Sequence, residues 1–329
     1  MNENPLVPDN NPTRGVSLDF DGWLADRDRR IELHTVDGIP DYAFDLDWKI
    51  RRRLDAVPAL RVFVQALLAG QSALRRAILE QDGVAVGPRQ LPKYHAMAMA
   101  CAERLGIPVP QVYIVNDHHT NAYTLALGES DPIVVLHSGL LTAMEDDEVK
   151  AVMGHECGHI HNQHSVYNVL WEMLANKALF QVVTKTLSWL GPPGWIAALL
   201  LQALSGGVKL LFQRWHRCAE ITCDRAGLIC ADDMESAIRV DGKLALGHVG
   251  HVDGFDIDVF AEQMKIREQS WIAWLRELGR SHPPPALRAK AATLFLESDV
   301  LRTWRPELLA QGPGRPKAEI DAEVAKFIL

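Results

Sequence analysis

The spacing of apolar positions changes period several times along the chain, and each change predicts an element. Residues 1–47 are polar and acidic, rich in Asp, Pro and Asn, and show little apolar period, which predicts an extended or loosely packed leader. A helical stretch opens at Lys49–Arg53, a basic run expected to lie at a solvated helix end. Val57, Leu60, Phe63, Val64, Leu67 and Leu68 then recur at helical steps. A further helix is predicted over 88–105, stopped by Gly106 and kept stopped by Pro108 and Pro110. Gln111–Val115 is apolar and β-branched and predicts a strand. Asn121–Leu127 and Pro132–Leu136 predict two more, separated by the turn residues Gly128–Asp131. Glu145–Glu148 places negative charge where the positive end of a long helix would begin.

Residues 166–215 form the apolar part of the chain, broken by Gly191-Pro192-Pro193-Gly194. The arm Trp195–Phe212 approaches membrane-spanning length, but it holds Gln202, Ser205 and Lys209, and its partner arm Met173–Leu190 holds Asn176, Lys177, Gln181 and Lys185. A lysine near the middle of a bilayer costs about 2.5–3.5 kcal/mol, so two core helices are the expectation, with peripheral membrane contact kept as the alternative.

Composition narrows the class. With 48% hydrophobic residues and 9 Trp, 9 Phe and 5 Tyr to bury, the chain has enough apolar material for a sizeable core. A net charge of −8 makes nucleic acid a poor partner. Five cysteines at irregular spacing, without a CxxC pair, read as reduced thiols in a cytoplasmic protein. The first fifteen residues lack the pattern of a secretory signal.

The chemistry concentrates in His155-Glu156-Cys157-Gly158-His159. On a helix, positions i and i+4 share a face, so both imidazoles can converge on one metal ion. Glu156 is rotated away from that line, beside a metal rather than on it, where a base must sit to take a proton from water. Val149, Val152, Met153 and Ile160 supply apolar positions around the motif. Gly154 and Gly158 each cost a helix about 1 kcal/mol against Ala, which close approach of another element would explain. The third ligand separates the classes. Asn162 and Ser165 stand where a metzincin needs Gly and His, and Ala178 and Leu179 stand where a thermolysin-like site needs Glu. His161 and His164 are off that register and are expected to face solvent. Downstream, Glu220 and Asp224 are i and i+4 on one helical face. One carboxylate can complete a His₂Glu site, and the other can accept the free N–H of a ligand histidine.

These residues resemble the M48 family of zinc metallopeptidases over roughly residues 83–295. The resemblance takes in Leu91-Pro92, Pro110–Val115, Asn121-Ala122-Tyr123, Ser138-Gly139-Leu140, the HECGH helix, Glu220–Gly227, and Ser281-His282-Pro283 with Arg288. It implies an α+β, mainly helical zincin-type fold, gluzincin-like, with a small sheet beside the HExxH helix. It implies one Zn²⁺ per chain on His155, His159 and Glu220, with Glu156 as general base and Asp224 orienting a zinc-bound histidine, His155 for preference. It also implies that Asn121, Ala122 and Tyr123 form an edge strand pairing with extended peptide. His282 is either an oxyanion stabiliser or proton donor, or a helix-start residue, and Arg288 anchors the active-site helices by an ion pair. The expected activity is endopeptidase cleavage of peptide or unfolded protein, against the alternative of a catalytically quiescent zinc-bound scaffold. Residues 1–80 are expected to form an N-terminal leader and helical region ahead of a peptidase domain at 81–329, with two readings open: a segment covering the cleft, or a loose tail over 1–47 followed by a core helix pair over 54–80.

Overall fold

A computed structural model describes residues 32–56, 75–126, 132–164, 167, 177–189, 191–246, 256, 259, 262 and 283–328. A short antiparallel pair, β1 (Thr35–Val36) and β2 (Ile39–Pro40), precedes helix α1 (Asp45–Asp55). α1 begins four residues before Lys49, inside the stretch expected to be leader, and Asp45 and Asp47 occupy its first turn. The basic run is divided: Arg52 and Arg53 are exposed, whereas Arg51 is buried. The helical face expected over 57–68 lies outside the described residues.

Strand β3 (Val84–Ala85) leads to helix α2 (Pro92–Leu105), which starts later than expected, with Pro92 in its first turn and Gly106 in the left-handed region at its end. β4 (Gln111–Val115), β5 (Ala122–Ala126) and β6 (Pro132–His137) follow. The sheet order is β3-β4-β6-β5, with β4 and β6 parallel and the other pairs antiparallel. Every residue of β6 is buried. Its alternation sends Val134 and Leu136 into the main core and Ile133 and Val135 into a smaller cluster on the other face, with Leu79 and Tyr113. β5 stands at the end of this order.

Helix α3 (Ser138–Ala143) is followed by α4 (Asp146–His161), opened by a capping box in which Glu145 and Glu148 each accept from the other's backbone N–H. α5 (Lys177–Ser188) and the 40-residue helix α6 (Gly191–Cys230) pack side by side. The break at 191–194 serves as the start of α6, where prolines cost no hydrogen bond. The arm expected to end at Phe212 therefore continues as the helix that carries Glu220 and Asp224. Among the described residues no helix is long and apolar enough to cross a membrane. α7 (Met234–Leu246), α8 (Pro285–Leu296), α9 (Asp299–Trp304), a 3₁₀ turn at Pro306–Gln311 and α10 (Lys317–Ile328) follow among the described residues. The architecture is mainly helical with one small mixed sheet.

The central contact is α4 against α6. A Cβ at Gly154 would stand 2.5 Å from Cys230 Cβ, and one at Gly158 would stand 2.7 Å from Ala226 Cβ. These two glycines let the backbones approach, which accounts for poor helix formers in a buried helix. A second core, built on Phe44, Tyr167, Phe212, Trp215, Leu287 and Ile320, joins α1, α6, α8 and α10. All five cysteines are buried and free.

Candidate active site and metal centre

The α4–α6 packing sets the candidate ligands face to face. His155 Nε2 lies 3.8 Å from Glu220 Oε2, and His159 Nε2 lies 3.6 Å from Glu220 Oε1. Both histidines therefore present the same ring nitrogen to one carboxylate. Their other nitrogens are engaged: His155 Nδ1 is 2.9 Å from Asp224 Oδ1, and His159 Nδ1 is 3.1 Å from His164 Nδ1. The i,i+4 pair on α6 divides its labour by position, Glu220 toward the Nε2 atoms and Asp224 toward Nδ1 of His155.

Arg288 on α8 closes the back of this group. Its guanidinium donates to both oxygens of Asp224, reaches Glu220 Oε2 at 3.5 Å and stands 3.4 Å from Asp241 Oδ1 on α7. Burial opposes ionisation of Asp224, but the charge and hydrogen bonds of Arg288 outweigh it and hold the carboxyl below its usual range. Burial pushes Asp241 up to about 7 against the pull of Arg288. Burial also disfavours the charged form of His155, yet Asp224 and Glu220 raise it above the ordinary value. His159 is held well below that value by burial and by His155, so its imidazole stays neutral.

Glu156 lies on the cleft side. Its carboxylate Oε2 accepts a 2.7 Å hydrogen bond from the Thr124 hydroxyl on β5, and burial raises its pKa. The cleft, about 460 Å³, is lined by Asn121, Ala122, Tyr123 and Thr124 on one side and by His155, Glu156, His159 and Glu220 on the other. His282 lies outside the described residues.

The donor set suits a divalent transition metal: two imidazole Nε2 atoms facing one carboxylate, with the Nδ1 atoms already occupied. Cys223 also comes within reach of His155 and His159. Its sulfur also lies 3.4 Å from His164 Nδ1. Glu220, within 3.8 Å of both Nε2 atoms, is the other side chain that could serve as a third donor.

Two residues expected to face solvent do not. His164 is fully buried, and His161 is half-buried with Nδ1 3.0 Å from the Tyr42 hydroxyl. Helical extrapolation fails for His164 because α4 ends at His161, with Asn162 as its cap, and Gln163 takes a positive φ of 53°, which turns the chain back on itself; His161 is still within the helix and is covered by Tyr42. Sequence reasoning also passed over Thr124, Asp241 and His216. His216 Nδ1 is 3.8 Å from Glu220 Oε1. The series His216, Glu220, Asp224 at successive i,i+4 steps was a readable signal; Thr124 and Asp241 offered none.

The family model for peptidase family M48 matches residues 88–294. The plastoglobule-localized metallopeptidase 48, chloroplastic, of Arabidopsis thaliana is 32% identical over 259 residues, covering 76% of this chain and 70% of that protein. The crystal structure of S. mikatae Ste24p aligns with 82% of this chain and 66% of its own, at 17% identity and a TM-score of 0.43, a likeness too distant to add weight. With the family model spanning more than half of the chain and a metallopeptidase relative aligned over most of both lengths, this chain belongs to peptidase family M48 and is a metallopeptidase.

Proposed function

We propose that the chain is a zinc-dependent endopeptidase in which His155, His159 and Glu220 hold one Zn²⁺ and Glu156 is the general base. The observation that carries the reading is the placement of Glu156: a buried carboxylate, tethered by Thr124, beside the face where both Nε2 atoms meet Glu220. Bound there, zinc supplies a Lewis acid that polarises the scissile carbonyl and makes water acidic near neutral pH. Glu156 takes the proton from the attacking water and passes it to the leaving amine. Its burial suits both steps, because a raised carboxyl pKa narrows the gap to the groups it exchanges protons with. Asp224, fixed by Arg288, accepts from His155 Nδ1 and keeps Nε2 free as a donor to metal.

β5 ends the sheet order and runs along the cleft, so its outer edge can pair with an extended peptide through Asn121–Tyr123. This mode selects unfolded or extended chain as substrate, because a folded protein has few free backbone groups to offer. Trp189 and Trp195 are 74% and 57% exposed around the α5–α6 turn, which supports peripheral contact with a membrane surface. The deciding experiment compares zinc-loaded wild type and Glu156→Gln on a panel of denatured proteins. Wild type yields defined fragments and the variant none, with metal content equal; equal cleavage by both removes Glu156 as base, and no cleavage by either favours a binding module.

A further inference from the structure

His159, as a ligand to a metal, needs a partner for Nδ1, and the carboxylates of α6 do not supply one. The partner comes from beyond the helix end. α4 closes in a turn where the Gln163 N–H donates to Ile160 O and the His164 N–H donates to His159 O at 2.9 Å. With Gln163 in the left-handed region, this is the hydrogen-bond pattern of a Schellman motif, which folds the second residue past the helix back onto the residue three from its end. A hydrophobic contact usually fills that position; here two imidazoles meet, Nδ1 to Nδ1, at 3.1 Å. Arg51 of α1 secures the turn, donating to Asn162 O and, at 3.0 Å, to Gln163 Oε1. Glutamine is an uncommon residue at a positive φ, and this tether supplies a reason for it.

Behind His164 stands Asp47, also from α1. His164 Nε2 lies 3.0 Å from Asp47 Oδ2, which also accepts a 2.7 Å hydrogen bond from the Thr222 hydroxyl of α6. Both His164 and Asp47 are completely buried. Asp47 Oδ1 has no hydrogen-bond partner among the described residues. Trp215 meets the His164 ring edge-on at 5.6 Å, and Cys223 Sγ, a weaker donor, stands 3.4 Å from its Nδ1.

These contacts permit one proton arrangement that leaves His159 able to bind metal. Asp47 accepts from His164 Nε2–H; His164 Nδ1, then a lone pair, accepts from His159 Nδ1–H; His159 Nε2 is left unprotonated toward Glu220. We infer that His164 and Asp47 are positioning residues for His159: an imidazole–carboxylate relay, brought by α1 and the end of α4, that sets the tautomer and orientation of one metal ligand as Asp224 does for the other. This inference rests on the assignment of His155, His159 and Glu220 as metal ligands. It also gives Asp47, in the stretch ahead of the family match, a task at the centre of the molecule.

The test measures zinc affinity of the full chain by competition with a graded chelator, alongside folding of each variant by circular dichroism. His164→Leu and Asp47→Ala each weaken zinc binding by about 10–100-fold, the effect typical of partners behind a ligand. His164→Gln, whose amide can accept from His159 and donate to Asp47, stays within about threefold of wild type. The double variant is no weaker than the weaker single, because both act through one ligand. Nitrogen-15 spectra of the wild-type histidines show His164 protonated at Nε2 and His159 at Nδ1, a readout that needs no variant to fold. Equal losses in His164→Leu and His164→Gln, additive losses in the double variant, or the opposite tautomers would overturn the relay. Glu220→Ala serves as the reference: if it loses zinc while His164→Leu keeps it, the relay alone fails, and if it keeps zinc, the ligand assignment fails first.

Discussion

Gly158→Ala sets two opposing effects against each other, and their magnitudes decide the sign. As a helix residue, alanine is better than glycine by about 1 kcal/mol, so in an exposed helix the change stabilises. Here the new methyl would stand 2.7 Å from Ala226 Cβ and 3.1 Å from Cys223 Cα. The first distance is 0.7 Å inside the 3.4 Å at which ordinary contact begins, and the atoms it meets belong to a buried helix rather than to the free end of a side chain. Overpacking of this kind costs about 1–3 kcal/mol, and rigid neighbours put it near the upper end. The net expectation is a loss of about 2 kcal/mol. The consequence for function is larger than that figure suggests. His159 sits beside the inserted methyl on α4 and Glu220 is three residues from Cys223 on α6, so helices forced apart widen a gap between two proposed ligands that is now 3.6 Å. Urea unfolding of the metal-free protein reads the stability term, and chelator competition reads the site. Ala226→Gly in the same background removes the nearest clash and restores zinc binding. A Gly158→Ala protein more stable than wild type, with unchanged zinc affinity, would refute the view that close helix approach explains this glycine.

Glu220→Ala removes one of the three proposed ligands and is expected to lose most of the bound zinc, measured by metal analysis after dialysis; full occupancy would take Glu220 out of the site. Asp224→Asn keeps the shape of the side chain but weakens its pairing with Arg288 and His155, and metal affinity is expected to fall by about 10–100-fold without unfolding; unchanged affinity in chelator competition would reduce Asp224 to a structural ion-pair residue. The third expectation concerns pH. Burial, with a smaller push from His34, lowers His161 from the ordinary 6.5 to about 4. Between those values the unfolded chain binds the proton and the folded chain does not, so this residue's contribution is present above pH 6.5 and is lost as pH falls toward 4. The full shift corresponds to roughly 3 kcal/mol at most. His161→Gln should therefore lose less stability than wild type between pH 7 and pH 4 in urea titrations, and parallel curves would show that His161 is not held neutral.

Much of the scaffold follows from short-range pattern. β4 matches the apolar β-branched run at Gln111–Val115, and α4 begins where its acidic turn placed it. These features depend on residues within a turn or a strand of one another, which is the range that periodicity reports. The same range covers the i,i+4 convergence of His155 with His159 and of Glu220 with Asp224, so the candidate ligands were legible without a fold. What joined them was not. That Glu220 faces the Nε2 atoms while Asp224 takes Nδ1 of His155 depends on how α4 and α6 pack, and that rests on Gly154 and Gly158 meeting Cys230 and Ala226 from far along the chain. Thr124 reaches Glu156 because β5 lies beside α4. Arg51 read as one more solvated cation, and Asp47 as leader, because burial is decided by what covers a residue and their covers lie more than a hundred residues away. His164 was misplaced for a local reason of a different kind: Gln163 adopts a left-handed conformation that its side chain does not advertise, and a single such residue cancels helical register. The residue types and spacings of the proposed ligands were therefore determined by the sequence, whereas the partners that orient them were decided by tertiary packing, since hydrogen bonds between distant segments leave no period to read.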